Sequence, residues 1–493
     1  MAYPGSLERP NPTLLRSREY PQLTQCTYLD NAGTTIYARS LIEEFSADLV
    51  QNLYGNPHSA CAPSMFCGQR VDAVRAKALA FFKADPEHFD LVFVANATAA
   101  IKLVAESLRG YATARGTQLW YGYHKDAHTS LVGIREVVDL SRCFSSDAEV
   151  EEWLNSRGPQ RPLRLFAYPG QSNMTGRRLP RTWPARARAM RYPAYSLLDA
   201  AALASTAQID LSDPHTAPDF TALSFYKIFG FPNLGALIVR KAATHALHHR
   251  RYFGGGTVDM VVAVDDTWHA LKDTSTHDRL EDGTLPFHAI IALDHAINVH
   301  KRLYGPEPMK FVSEHTSDLA RQTYEALAGL RHANGTPVCR IYTDASARYG
   351  DALTQGATIA FNIRRSDGSM IGYEEIERAA NARSVYIRSG SLCNPGGVAT
   401  YLGWTAPQMR SAYAAGHRCS KPRQIVAGKS TGVVRISFGA MNTIEDVQAL
   451  LRFMNIYMSV LRVSHSPPNP ARNTFSARRF GRSLADKFKP LRC

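Results

Sequence analysis

The sequence predicts an α/β fold: a large, mostly parallel sheet flanked by helices, followed by a smaller α+β block. Three observations predict it. Between residues 90 and 240, short apolar runs alternate with longer helical patterns, as in a sheet covered on both faces. Polar residues recur at the ends of those runs, where open α/β sheets bind ligands. Beyond residue 305 the order changes to a long helix, strands of mixed spacing and further helices.

In chain order, LVFVA at 91–95 reads as a strand and IKLVAESLRGYA as the helix after it. QLWYGY at 118–123, LRLFAY at 163–168, YSLLDA at 195–200, DFTALSF at 219–225 and LGALIVR at 234–240 read as buried strands. Asp259 to Gly305 is loop and then helix (HAIIALDHAINVHKRL). From Met309 an amphipathic helix aligns Phe311, Leu319, Thr323, Leu327 and Leu330 on one face. ATIAFNI at 357–363, VYIRSG at 385–390 and VVRISF at 433–438 are strand-like, and EEIERAANA and TIEDVQALLRFMNIYMSVL are helical. The expected organisation is a large domain over 30–300, a small domain from 1–29 and 301–463, and a basic, disordered tail over 464–493.

Composition excludes several classes. Of 493 residues, 45% are apolar and 20% charged, which excludes a wholly disordered chain, a collagen and a coiled-coil rod. No apolar run of about 18 residues occurs, so no membrane span is expected. The first 25 residues lack the apolar core of a secretory signal. The eight cysteines include no CxxC pair, so neither a metal site nor a disulfide scaffold is expected, and the setting is read as reduced and cytoplasmic. The net charge of +14 gathers in the tail and around Arg177, Arg178, Arg181, Arg186, Arg188 and Arg191. Both clusters read as solvated surface; without interleaved aromatics they do not indicate nucleic acid.

Several residues have the chemistry of a site. Lys227, in SFYKIFG, is either a desolvated amine able to form a Schiff base or a loop lysine that snorkels outward. Asp199 ends a buried strand; it fits a partner for a protonated pyridinium nitrogen, or a helix cap. Ala97 and Thr98 stand where a strand turns into a helix and suit a phosphate, or simple capping. The run Gly254–Gly255–Gly256–Thr257 is a second phosphate candidate and equally an ordinary turn. His128 fits a ring stacked on a cofactor or a polar helix start. Asn173 follows a strand and suits a bond to a ring oxygen. Cys393, in RSGSLCNPGG, lies on a loop read as mobile, near Arg388; it is a nucleophile or an inert thiol. Arg435 suits a substrate carboxylate or a surface ion pair.

The order Thr98, His128, Asn173, Asp199, Lys227, Arg435 runs strand end by strand end. With it go YLDNAGTT at 28–35, YGNPHS at 54–59, DAHTSLVGIRE at 126–136, QSNMTG at 171–176, LLDAAA at 197–202, SFYKIFGFP at 224–232, RYFGGGTV at 251–258, RLEDGT at 279–284, RSGSLCNPGG at 388–397 and VVRISFGAMNTIEDV at 433–447. In these segments the sequence resembles the class V aminotransferase-like, fold-type I pyridoxal phosphate (PLP) enzymes, and among them the N-terminal cysteine desulfurase-like domain of molybdenum cofactor sulfurases. The SFYKIFGFP and CNPG segments carry most of the likeness.

The resemblance implies pyridoxal 5'-phosphate as cofactor and L-cysteine as substrate, with sulfur passed to an acceptor the sequence does not identify; sulfuration of the molybdenum cofactor is one outcome. It implies Lys227 as the lysine carrying the cofactor, Asp199 beside the ring nitrogen, His128 over the ring and Asn173 at its side. Ala97, Thr98, Ser224, Tyr226 and a Thr257 from a second subunit of a homodimer would complete the cofactor site. Arg435 and Arg388 would face the substrate, and Cys393 would take its sulfur. Three departures stand out. The sequence is expected to stop short of the family's carboxy-terminal cofactor-binding domain, Asn233 stands alone where Thr-Gly is usual, and Ser391 replaces a second loop cysteine. These keep open a PLP lyase or carbon–carbon bond-forming enzyme of specialised metabolism. A non-catalytic scaffold binding through its basic tail is disfavoured by the full Lys227, Asp199 and His128 set.

Overall fold

The apolar runs become a seven-stranded sheet because both of their faces are covered. The computed structural model describes residues 10–156 and 162–464; from residue 465 the basic tail lies outside the described residues. The strands are β1 (Phe89–Val94), β2 (Leu119–His124), β3 (Leu140–Phe144), β4 (Leu163–Pro169), β5 (Tyr195–Asp199), β6 (Phe220–Ser224) and β7 (Gly235–Arg240). They lie in the order β1-β7-β6-β5-β4-β2-β3. The four pairings from β6 to β3 are parallel, and only those of β7 with its two neighbours are antiparallel. This is the mostly parallel α/β sheet expected from the sequence.

Alternate side chains feed two cores, as the two-residue period of a strand requires. Leu91, Phe93, Phe166, Tyr168, Leu223 and Ile238 enter one core. Helices α1 (Ala62–Phe81) and α3 (Phe287–Tyr304) close it through Val71, Val74, Ile290 and Leu293. Val92, Leu165, Ala167, Ala222, Leu237 and Val239 enter the other, under α2 (Ala97–Ala114) with its Ile101, Val104 and Leu108. β3 departs from expectation: the run Leu140, Ser141, Arg142 and Cys143 is exposed, so this edge strand carries no apolar signature.

The second sheet has β8 (Cys339–Tyr342), β9 (Thr358–Ile363), β10 (Arg388–Gly390) and β11 (Val433–Ser437), ordered β8-β9-β11-β10 and antiparallel throughout. Helices α4 (Pro308–Gly329) and α6 (Ile444–Ser464) pack on it through Leu319, Leu327, Leu450 and Phe453. Between them in the chain, α5 (Pro395–Leu402) follows the Cys393 loop. Thr27–Tyr28 pairs with Val385–Tyr386, and Asp30 then bridges to Ser437, which brings the amino-terminal segment to the end of β11. No helix among the described residues is long and apolar enough to cross a membrane.

In the arginine cluster at 177–191, Arg181 and Arg191 are exposed as expected, but Arg177, Arg178, Arg186 and Arg188 are not free solvated charge. Arg177 is buried and pairs with Asp147 and, at 3.4 Å, with Asp344. Arg178 donates to Gln171 and to the carbonyl oxygens of Thr206 and Ala352. Arg186 pairs with Glu151, and Arg188 with the buried Asp219. The fork geometry of the guanidinium lets one arginine close several acceptors at once, and Arg177 and Arg178 do so at the seam between residues 171–178 and 344–355. Arg177→Ala removes a buried cation from the fully buried Asp126, 3.9 Å away, and from the partly exposed Asp147 and Asp344. A loss of about 3–5 kcal/mol is expected, read as a lowered midpoint in denaturant with an unchanged slope.

Candidate active site

Lys227 owes its position to the turn that ends β6. Tyr226–Phe229 forms a single helical turn closed by Gly230 at φ 78°, and a Cβ on Gly230 would lie 2.4 Å from the backbone nitrogen of Tyr37. Only glycine meets both demands. The lysine therefore sits at the carboxyl edge of the sheet, beside the end of β5. Burial pushes its amine down from the usual lysine range, while the charge of Asp199 acts in the opposite sense. Asp199 is the last residue of β5 and is 7% exposed; its Oδ1 accepts the amide of Ala201 at 3.0 Å. Both readings of Asp199 thus meet in one side chain: one oxygen caps a turn, and the acid lies close enough to influence Lys227 and His128.

At the start of α2, Asn96 accepts the amide of Ala99, and the buried Ser224 hydroxyl oxygen accepts the amide of Ala97 at 2.9 Å. Thr98 is left as the first-turn amide without a partner among the described residues, and its hydroxyl meets that of Ser130 at 2.8 Å. A helix amino terminus with a free amide and three hydroxyls within two short links suits a phosphate dianion.

His128 caps the short helix Thr129–Val132: its Nδ1 accepts the amide of Ser130 at 3.1 Å and lies 3.0 Å from that hydroxyl. Burial pushes its pKa below the usual histidine value, partly opposed by Asp199. The imidazole is therefore neutral at neutral pH, a flat apolar face rather than a cation.

Arg435 lies in the middle of β11 and is 4% exposed. It donates to Asp30 at 2.6 Å and to the carbonyl of Asn173 at 2.9 Å, and its Nε has no partner among the described residues. It is not a surface ion pair; it is a buried guanidinium whose Nε donor is left over. Asn173 is held in turn: its Nδ2 donates to the carbonyl of Leu392 at 2.7 Å and its Oδ1 accepts from Asn394 at 2.9 Å. One amide hydrogen of Asn173 stays available. Cys393 is exposed and, like Asp199, Arg435 and Asp30, lies within electrostatic reach of Lys227.

The structure thus brings Lys227, Asp199, His128 and Arg435 within electrostatic reach of one another, with Asn173 bonded to Arg435 and to the loop of the exposed Cys393, and it sets Ala97, Thr98 and Ser224 in one group at the α2 terminus. Tyr226 is half-buried beside Lys227, and its carbonyl accepts from Gly230. Arg388 pairs with Arg435 across β10 and β11 but is exposed. Thr257 joins none of them: it is fully buried and its hydroxyl donates to Gly254 at 2.8 Å. Asp30, Ser130 and Asn394 belong to the site and were not singled out by sequence; Asp30 and Arg435 are 405 residues apart. The Cys393 loop also differs from the mobile loop expected. A Cβ on Gly396 would lie 2.2 Å from the carbonyl oxygen of Lys125, so that glycine serves close packing rather than freedom.

The donor set fits PLP: a desolvated amine for its aldehyde, an acid at the strand end for its ring nitrogen, a neutral ring for its face and the α2 terminus for its phosphate.

Known proteins agree with this geometry. The aminotransferase class-V family model matches residues 27–450. The molybdenum cofactor sulfurase of Aspergillus clavatus is 56% identical over 449 residues, which are 90% of this chain and 52% of that protein. The chain thus spans about half the length of the curated relatives it matches. Among solved structures, the cysteine desulfurase from Thermococcus onnurineus aligns with a TM-score of 0.71 at 18% identity, covering 92% of this chain and 99% of that one. The cysteine desulfurase CsdA from Escherichia coli aligns with a TM-score of 0.66 at 19% identity, over 91% and 99%. At such identities these two show the fold, and the sequence match over most of the chain shows the family. The chain belongs to the aminotransferase class-V family of PLP-dependent enzymes.

Proposed function

We propose that this chain removes sulfur from L-cysteine, holds it as a persulfide on Cys393 and releases alanine. The observation that supports this most directly is the closeness of the burial-shifted amine of Lys227 to the buried Arg435 and to an exposed thiol. Lys227, Asp199, His128, Thr98, Ser130 and Ser224 would hold PLP, which when bound supplies an electron sink for the pair left by a Cα proton.

The chain's own groups do the rest. Arg435 takes the substrate carboxylate with the donor that Asp30 and Asn173 leave over, while those two fix the guanidinium plane. Lys227, as a free amine, accepts the Cα proton and later returns a proton to carbon. The Cys393 thiolate attacks the substrate sulfur. A sulfur–sulfur bond forms, the Cβ–sulfur bond breaks, and its electron pair stays on carbon, which takes up a proton. L-Cysteine and one protein thiol thereby give L-alanine and one persulfide, with atoms and electrons balanced.

The same proposal extends to the acceptor. The relatives at about half coverage are named molybdenum cofactor sulfurases, which supports that cofactor as the final sulfur acceptor. A large unit over 30–300, a small one from 1–29 and 301–463, and a homodimer also belong to this reading; the buried Thr257, bonded to Gly254 of its own chain, is given no part in the neighbouring site. The test is a single turnover of the full chain with L-cysteine, counting alanine against cyanide-labile protein sulfur. Equal amounts are expected; pyruvate and free sulfide in place of alanine would overturn it.

Arg435→Lys keeps the charge opposite Asp30 but loses the fork. One charge-assisted bond is worth about 1.5–3 kcal/mol, so KM for L-cysteine should rise roughly 10- to 150-fold with kcat far less affected. An unchanged KM would remove Arg435 from carboxylate binding.

A further inference from the structure

The loop bearing Cys393 is fastened on both sides of the cysteine. The carbonyl of Leu392 accepts from Asn173 at 2.7 Å, and that of Cys393 accepts the amide of Thr129 at 2.9 Å. Leu392 and Cys393 both have left-handed backbones, at φ 58° and 53°. Side chains of this kind disfavour that region, so the surroundings must hold it.

Asn394 is the residue placed to do so. Its side chain has no solvent exposure. Its Nδ2 donates to the carbonyl of Asp126 at 3.1 Å and to Oδ1 of Asn173 at 2.9 Å, while its Oδ1 accepts the amide of Gly397 at 2.8 Å. The two ends of one amide thus have separate tasks. The oxygen caps α5. The nitrogen ties the loop to the turn that leads into His128 and to Asn173, which also holds Arg435.

We infer that Asn394 is the positioning residue of the sulfur-accepting thiol: its amide nitrogen holds the strained Cys393 backbone in register with the cofactor and carboxylate sites. This rests on the proposed role of Cys393. A mobile loop would need to find the substrate sulfur on each turnover; a clamped one presents the thiol already oriented, and misplacement by about 1 Å can cost on the order of 10²-fold in rate.

Asn394→Ser separates the two tasks. Serine caps a helix about as well as asparagine but is too short to replace both donor bonds. The expected result is a kcat for alanine release lower by roughly 10- to 100-fold, with KM for L-cysteine and the cofactor absorbance near the parent's. Asn394→Ala, which also loses the cap, should fall equally in kcat and further in thermal stability. A parental kcat in Asn394→Ser would overturn the inference, leaving Asn394 a helix cap only. If Asn394→Ser does not fold, Asn394→Asp, which caps and has no donor, is read by the same two outcomes. Cys393→Ser is assayed alongside. Parental alanine release there defeats the proposed function itself, whereas an inactive Cys393→Ser beside a fully active Asn394→Ser defeats only the clamp.

Discussion

Alanine in place of Lys227 abolishes alanine formation from L-cysteine and, with it, the absorbance band of the tethered cofactor. Two losses combine. The amine that binds the aldehyde is gone, and so is the base at Cα; a well-placed base alone contributes about 10²–10⁴-fold. Burial shapes the pH profile. The folded-state pKa of Lys227 is lowered from 10.5, so the amine is unprotonated over a wider range than an exposed lysine. Activity that needs the free amine is therefore present above this lowered pKa and is lost as pH falls through it. The sign for stability is the same. Below the unfolded value the unfolded chain takes up the proton more readily, so burying Lys227 costs stability increasingly until pH reaches the folded pKa. Lys227→Arg keeps a cation at all working pH values and cannot serve as base, so it should be as inactive as Lys227→Ala. Borohydride treatment of the parent followed by peptide mass analysis should place a pyridoxyl group on Lys227. Retention of the band in Lys227→Ala would remove this lysine from the centre of the site.

Those losses concern a residue that sequence alone brings forward, and the reason is physical. Strands buried on both faces must be apolar throughout, so β1, β2 and β4 to β7 are visible as runs, and a polar residue closing a run is conspicuous. Asp199 and Lys227 are conspicuous in this way. β3 is not, because an exposed edge strand has no apolar face to display. The Arg177 and Arg178 pair misleads for the opposite reason. Charge in a sequence looks solvated until its partners are known, and Asp147 arrives from one distant segment while Asp344 and the carbonyl of Ala352 arrive from another. Asp30 is invisible on the same account, since its partner Arg435 comes from the far end of the chain. The glycines around Cys393 suggest freedom, yet Gly396 packs against Lys125 and Gly397 against Asn394. Composition records which residues permit motion; only packing shows whether motion is used.

Serine in place of Cys393 should leave the cofactor bound and its band intact while alanine release falls on the order of 10³-fold or more. The argument turns on which thiol can act. Burial raises the pKa of Cys26 and Cys67, and that of Cys339 to about 12, which keeps all three protonated and inert at neutral pH. Cys61, Cys143 and Cys419 are exposed as well, and of these Cys61 has its pKa lowered by a hydrogen bond with Ser64, so chemically it is the strongest competitor. Position separates them. Cys61 stands at the start of α1, whereas Cys393 lies near Lys227 and Arg435 and is held there by Thr129 and the Asn173–Asn394 pair. Cys61→Ser should therefore keep parental turnover. A serine hydroxyl at position 393 is not ionised at neutral pH and is a poor partner for sulfur, so the substrate's Cβ–sulfur bond loses its acceptor. Measuring alanine, pyruvate and protein-bound sulfur in Cys393→Ser then has two readable ends. Loss of alanine with retained cofactor assigns sulfur transfer to this thiol. Continued release of free sulfide with pyruvate at the parental rate would mean that the bond breaks without it, which is lyase chemistry at the same site.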